Sequence, residues 1–280
     1  MTAGWPALDA LLTALQAAPS RTGSMIATVY GDAILPRGGC LALADLLVLM
    51  RRLGVSEGVV RTAVSRLARD GVLHGRRAGR HSAYALTDAA RSEFLAAAPQ
   101  IYGAAAAAWD GRLRLAFPET GADRAALESA GFALLAPGVL MSSAAAPEGV
   151  PWLEAAGPPQ TLRLLASRAW PLERLGQWYT EFMALFAGLN PVPAVMPLDA
   201  MAARTVLIHA WRRIALRDPR LPPALLPQDW SGNRARDFCA SLYGSLAASS
   251  ASWLDMAGCL DGRLPHGSGP AHHFHDPSRS

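Results

Sequence analysis

Between Ser56 and Gly71 the chain carries Arg61, Thr62, Ser65 and Arg69 on one side of a helical period, with Arg66 at the edge of that side. The opposite side holds Val60, Ala63, Val64 and Leu67, an apolar stripe suited to packing on a neighbouring helix. The polar set suits DNA. A guanidinium can bridge O6 and N7 of guanine, and a hydroxyl can meet donor or acceptor. Helices that read DNA use their N-terminal half on base edges. Arg61, Thr62 and Ser65 are therefore read as base contacts, and Arg66 and Arg69 as phosphate contacts. Arg76, Arg77 and Arg80 follow on a hairpin, placed to hold the DNA backbone or probe the minor groove.

The charge distribution points the same way. Over residues 51–91 nine arginines stand against three acids, a local +6 in a chain whose net charge is +4. One small segment is built to face phosphates, and the remainder is acidic. All 26 basic side chains are arginine, the cation that forks onto phosphate and guanine.

Positioning these residues takes a helix-turn-helix corner and a basic wing. A strand over 41–43 is followed by a helix to Leu53, with Gly54 closing it. Ser56 caps the next helix, which runs to about Asp70 and ends at Gly71. Strands over 72–76 and 82–86 enclose a basic tip, residues 77–81. Upstream, Leu8, Leu11, Leu12 and Leu15 mark a short amphipathic helix packing on its own protein or a second copy, and Ser24 caps a helix over 25–34. Downstream, Thr87 caps a helix over 88–98 that Pro99 stops, and the alanines of 104–108 read as a linker helix.

The chain length suggests two or three domains. Residues 113–117, 133–135, 139–142 and 161–166 read as strands, and 123–130 and 148–155 as helices. That order, β-α-β-β-α-β, is the ferredoxin-like pattern. Helices over 172–189, 198–217 and 234–254 follow, with Pro-rich joints at 191–197 and 219–227, and a Gly, Pro, Ser and His tail expected to fray. The fold class is thus α+β, mainly helical. Its parts are an N-terminal extension (1–20), a winged helix-turn-helix (21–98), a linker helix with a small ferredoxin-like middle domain (99–168), an all-helical C-terminal domain for effector binding and dimerisation (169–258) and a disordered tail (259–280).

Composition and motifs bound the function. With 51% hydrophobic residues the chain can bury a core, which argues against global disorder. Cys40, Cys239 and Cys259 are odd in number and far apart, with no C-x-x-C, so neither a disulfide framework nor a zinc knuckle is expected, in keeping with a reducing cytoplasm. No run of about 18 apolar residues suggests a membrane span, and no leader pattern opens the chain. No nucleophile elbow, Gly-rich phosphate loop or H-E-x-x-H occurs, so an enzyme is not expected. Asp110 and Asp123 alone are a weak basis for a nuclease metal site, and His272, His273 and His275 a weak one for a transition metal.

The sequence resembles the PaaX family, the repressors of phenylacetic acid degradation operons in bacteria. The likeness is carried by 28–32 (TVYGD), 37–39 (RGG), 58–67 (GVVRTAVSRL), Asp70, Gly71, 79–82 (GRHS), Tyr84, Leu86 and Thr87. It continues in 109–112 (WDGR), 135–138 (LAPG), 209–213 (HAWRR), 216–219 (LRDP), Leu221 and Pro222. The chain departs from the family at Ala83, where an aromatic is common. The resemblance implies a winged helix, a ferredoxin-like middle domain and a helical C-terminal domain. It also implies a homodimer on palindromic double-stranded operator DNA, released by phenylacetyl-CoA acting as effector rather than cofactor, with no cofactor and no membrane.

A CoA thioester brings phosphates and an apolar acyl tail, and needs fixed cations beside an apolar slot. His209, Arg212 and Arg213 lie within one helical turn, Arg217 follows Arg213 at i+4, and Trp211 can stack on adenine. They span an arc rather than one face, so not all can line one pocket, and the favoured reading is a scaffold or dimer contact, with the arginines paired to Asp218, Asp229 or Asp237. Trp170, Trp178, Tyr179, Phe182 and Phe186 are apolar candidates for an aryl pocket that also fit a core. The nearer alternative is a repressor of the same family answering another aryl- or acyl-CoA, and a CoA-thioester enzyme or a nuclease with a DNA-binding head are the competing classes.

Overall fold

The structure, a computed structural model, describes residues 5–16, 22–103, 109–189, 195–267 and 274. It is α+β and mainly helical. The chain divides into two compact units, one of Met1–Ala104, Phe182–Leu216 and Arg236–Ser280, the other of Ala105–Glu181 and Arg217–Ala235. Residues of the helical stretch over 169–258 fall in both units, and the expected linker helix over 104–108 lies outside the described residues.

In the first unit, α1 (Pro6–Gln16) buries Leu8, Leu11 and Leu12. Next, α2 (Thr22–Val29) runs into a π-helical turn, Tyr30–Ile34. Ser24 was expected as the cap of this helix but sits inside its first turns, where its carbonyl accepts from Thr28 Oγ1 at 3.0 Å. Strand β1 (Cys40–Ala42) leads to α3 (Leu43–Arg52) and α4 (Glu57–Arg69). Both helices end the same way. Gly54 and Gly71 take φ of 80° and 74°, which only glycine adopts cheaply. The next residue then bonds back, Val55 N to Met50 O and Val72 N to Leu67 O, each at 2.9 Å.

Strands β2 (Leu73–Ala78) and β3 (His81–Leu86) form a hairpin, and β1 completes an antiparallel sheet in the order β1-β3-β2. Helix α5 (Asp88–Tyr102) begins at the Thr87 cap, whose Oγ1 accepts from Ala90 N at 3.2 Å. Pro99 was expected to stop it but lies within it. An interior proline costs about 3 kcal/mol. Tertiary contacts beyond it offset that: Tyr102 is buried with its hydroxyl 2.8 Å from Asp32 Oδ1, and Ile101 O accepts from Trp211 Nε1 at 2.8 Å.

The second unit holds β4 (Leu113–Ala116), α6 (Gly121–Ser129), β5 (Ala133–Ala136), β6 (Val139–Ser142), β7 (Trp152–Ala155) and α7 (Pro159–Ala169). Its antiparallel sheet runs β5-β6-β4-β7 over a core of Ala116, Leu127, Phe132, Leu140 and Val150. Two expectations fail here. The helix read over 148–155 is a loop and β7, and the strand read over 161–166 is α7, so the element order is β-α-β-β-β-α. In β7 the edge pairing to β4, with Trp152 opposite Ala116, overrides a weak helical pattern. In α7, Pro159 starts a helix whose Leu162 and Ala166 are buried at i, i+4 spacing.

The division between the units passes within α8 (Leu172–Phe186) and α10 (Gly232–Met256). Between them, α9 (Pro197–Ala215) belongs to the first unit and is buried nearly all round, including Asp199, Arg204, Thr205 and His209. A helix with no wet face carries polar side chains only where they are bonded. Arg204 Nε meets Asp32 Oδ2 at 2.7 Å, and Asp199 pairs with Arg52.

The chain beyond α10 was expected to be disordered. Its described part instead forms a small hairpin, β8 (Gly258–Cys259) with β9 (Gly262–Arg263), and Cys259 is disulfide-bonded to Cys40 across a sequence separation of 219. Cys259 and Leu260 pack on Cys40, Ala83 and Ala85. The small side chain at position 83 leaves the room that this segment fills. Phe274 lies against Tyr102 and Tyr243, with ring centroids 5.3 and 5.4 Å apart. The cysteine count and spacing do not suggest a disulfide framework, yet this one bond forms; its partners are 219 residues apart, and no local spacing reports them. His272, His273 and His275 lie outside the described residues.

Candidate nucleic-acid interface

Helix α4 is held from beneath. Val60 and Val64 are fully buried, and α4 packs on α3, where Leu46, Leu49 and Met50 are buried, and on α2. Ala63 and Leu67 complete the inner stripe half-buried. That fixes the outer face, on which Arg61, Thr62, Ser65, Arg66 and Arg69 are all exposed. The residues assigned to DNA in the sequence thus share one solvent-facing surface.

Their local partners differ. Glu57, in the first turn where a carboxylate suits the helix dipole, is bound by Arg51 and lies 4.0 Å from Arg61 Nη2. Thr62 Oγ1 donates to Gly58 O at 2.9 Å, one turn back, so its hydroxyl is left to act as an acceptor. Among the described residues no carboxylate pairs with Arg66, Arg69, Arg77 or Arg80.

The β2–β3 hairpin exposes Arg76, Arg77 and Arg80. Arg77 Nε donates to Gly79 O at 3.3 Å, which orients it along the tip. Arg76 is engaged by the C-terminal hairpin, its Nη2 lying 3.0 Å from Asp261 Oδ2. Asp261 escaped sequence reasoning because it sits in a stretch of loop-forming composition 185 residues from its partner.

The five residues assigned to an effector do not share one pocket. His209 is buried on α9, its Nδ1 3.0 Å from Thr28 Oγ1. Since the Thr28 hydroxyl proton goes to Ser24 O, the imidazole carries its hydrogen on Nδ1. Burial, then the Arg212 and Arg213 charges, pull its pKa down to about 4, so the ring is neutral. Trp211 is buried, with its indole N–H given to Ile101 O and its ring 5.6 Å from Phe182; it is core rather than a platform for adenine. Arg213 is exposed at the end of α9, and Arg217 lies past that helix, in the second unit.

Arg212 lines a cavity of about 280 Å³, bounded by α2, α5 and α9 of the first unit, and the other four residues are not among its walls. Trp170, Tyr179, Phe182 and Phe186 are buried, Trp178 is half-buried with the Arg174 guanidinium 4.9 Å above its ring, and none lines that cavity. Arg91, Phe94 and Asp32, which do line it, were not read as ligand contacts from the sequence, because they come together only when distant segments pack.

Asp110 and Asp123 are occupied. Asp110 is held by Arg114, which pulls its pKa down, and Asp123 closes the capping box of α6 with Thr120. Among the described residues no group of three His, Cys, Asp or Glu side chains is placed to hold a metal ion, and no helix is long and apolar enough to cross a membrane.

Residues 21–90 match the family model described as PaaX-like protein, and residues 170–256 that described as PaaX-like protein C-terminal domain. The chain is 32% identical to the transcriptional repressor PaaX of Escherichia coli (strain K12), over 90% of this chain and 89% of that one. Among solved structures, an uncharacterized protein of Mycobacterium tuberculosis aligns with a TM-score of 0.49 at 22% identity, covering 74% of this chain and 90% of that one.

Proposed function

The chain belongs to the PaaX family, and from that premise we propose that it is a transcriptional repressor whose α4 reads operator DNA. In this reading α3, α4 and the β2–β3 hairpin form a winged helix-turn-helix. Arg61 and Ser65 meet base edges, and Thr62 accepts from an exocyclic amino group. Arg66, Arg69, Arg76, Arg77 and Arg80 grip phosphate. The observation that carries it is the outer face of α4, with five DNA-competent side chains exposed together over a buried apolar stripe, beside a basic hairpin.

The finer reading is that the protein acts in the cytoplasm as a homodimer on a palindromic site, without catalysis or cofactor. The second unit serves as a ferredoxin-like spacer with one crossover helix missing. The operator controls phenylacetate degradation genes, and phenylacetyl-CoA releases the protein from it.

Selection from a random duplex pool, followed by titration of the recovered complex with a panel of CoA thioesters, tests both levels. A recurrent palindromic site released by phenylacetyl-CoA is the expected result. Release by a different thioester reassigns the effector within the same family function. Failure to recover any sequence defeats the repressor reading.

A further inference from the structure

We infer that the cavity between α2, α5 and α9 is a ligand site for a compact apolar acyl group bearing one oxygen acceptor, held by Arg212, and that it signals to α4 through α2. The inference rests on the ligand-responsive repressor reading and adds to it a place, a set of contacts and a route.

The walls are mostly apolar, with Leu35, Phe94, Ala98, Ile101 and Ile208 among them, and the volume of about 280 Å³ suits a small aromatic or branched acyl group rather than a whole CoA thioester. Two guanidiniums line this slot, Arg212 and Arg91. Arg91 is tied by its Nη2 to Gly38 O at 3.0 Å. Arg212 is anchored at one end only: its Nη2 donates to Ser24 O at 2.9 Å and to Ser24 Oγ at 2.8 Å, while its Nε is buried without a hydrogen-bond partner. Asp32, which also lines the slot, is engaged by Arg204, Tyr102 and Tyr243.

A buried guanidinium N–H without an acceptor is costly, and a carbonyl or carboxylate oxygen is what removes that cost. The ligand is therefore defined chemically as an apolar group of this size that presents such an oxygen to the Arg212 guanidinium, which lines the slot. A thioester and a free carboxylate share that chemistry. In a thioester the remainder of the molecule passes out of the slot, since the slot is too small to hold it.

The route follows from the same arginine. Arg212 holds Ser24, in the first turns of α2, and a Cβ built at the adjacent Gly23 lies 4.0 Å from Leu67 Cδ2 of α4. A ligand oxygen that draws on Arg212 acts on the helix that supports the inner stripe of α4.

Calorimetric titration of the full chain with phenylacetyl-CoA, phenylacetate and CoA tests this. The parent is compared with Ala98→Phe, which fills the slot, and Arg212→Gln, which removes the charged donor. Circular dichroism reads the folding of each variant. The expected result is binding of phenylacetyl-CoA or phenylacetate to the parent, weakened about tenfold or more in both folded variants, with no such change for CoA alone. Binding of the thioester only, or of the acid equally well, tells which source supplies the acyl group. Binding that survives undiminished in either folded variant overturns the cavity assignment and leaves the repressor reading standing. A parent that binds neither phenylacetyl-CoA nor phenylacetate overturns the cavity assignment and the proposed effector together, while sequence-specific DNA binding still supports the repressor.

Discussion

Arg204 on α9 and Asp32 on the π-helical turn are 172 residues apart in sequence and meet at 2.7 Å, with side chains 3% and 2% exposed. Tyr102 and Tyr243 also donate to Asp32, at 2.8 and 2.9 Å, and Arg204 bonds Asp32 O at 3.1 Å and Ser250 Oγ at 3.3 Å. Burial and the Asp32 charge push both tyrosines well above their usual range, so they stay neutral donors. Arg204→Met strands a buried carboxylate and is expected to cost about 3–5 kcal/mol in urea unfolding. The pair Asp32→Asn with Arg204→Met is expected to recover much of it, because no charge is then left without a partner.

His209 makes stability fall in mild acid. Its folded pKa of about 4 lies below the ordinary value of 6.5, so below pH 6.5 the unfolded chain takes up a proton that the folded ring refuses. Stability is full above about 6.5 and declines as the pH drops toward about 4, by up to about 3 kcal/mol. Unfolding midpoints measured across that range are expected to show this slope in the parent and to lose it in His209→Gln.

If Arg76 grips phosphate as proposed, the C-terminal hairpin competes with DNA for it, since Asp261 Oδ2 lies 3.0 Å from its Nη2. Asp261→Ala is expected to raise DNA affinity severalfold at low salt, and less at high salt, as befits an exposed ion pair. Reduction of Cys40–Cys259 is expected to lower the melting temperature. Closing so long a loop is worth about 5 kcal/mol by chain entropy, with 2–5 kcal/mol usual for loss of a native bond. Thermal melts with and without a thiol reductant check this, and Cys40→Ser should melt like the reduced parent in both.

Arg77 on the hairpin is exposed with no acidic partner among the described residues. As a phosphate contact it is expected to weaken binding to every duplex when changed to alanine, and to lower the slope of log K against log salt by about 1. Affinities for specific and random duplexes over a salt series check both.

What could be read from the sequence was local. The α4 stripe, its start after Ser56 and its stop at Gly71 all lie within one window, and the outer face followed from them. Thr87 as the α5 cap was equally local. Elements whose fate depends on distant partners were misread. Helix α5 runs through Pro99 because Tyr102 is held by Asp32, and β7 is a strand because β4 is beside it. Ser24 looks like a cap until the helix starts before it. The Cys40–Cys259 bond and the Asp261–Arg76 pair join chain ends that no spacing connects. Over residues 209–217, three cations and two aromatic rings suited effector contacts or a scaffold; Arg212 lines the cavity and Trp211 lies in the core.

The most direct test is the ratio of affinities for a selected operator and a random duplex of equal length, measured for the parent and Arg61→Ala at one salt concentration. If α4 reads bases through Arg61, the ratio falls by about 5- to 150-fold, the equivalent of 1–3 kcal/mol for one lost bidentate contact, while random-duplex affinity changes little. An unchanged ratio, with Arg61→Ala discriminating as well as the parent, contradicts base reading by this helix.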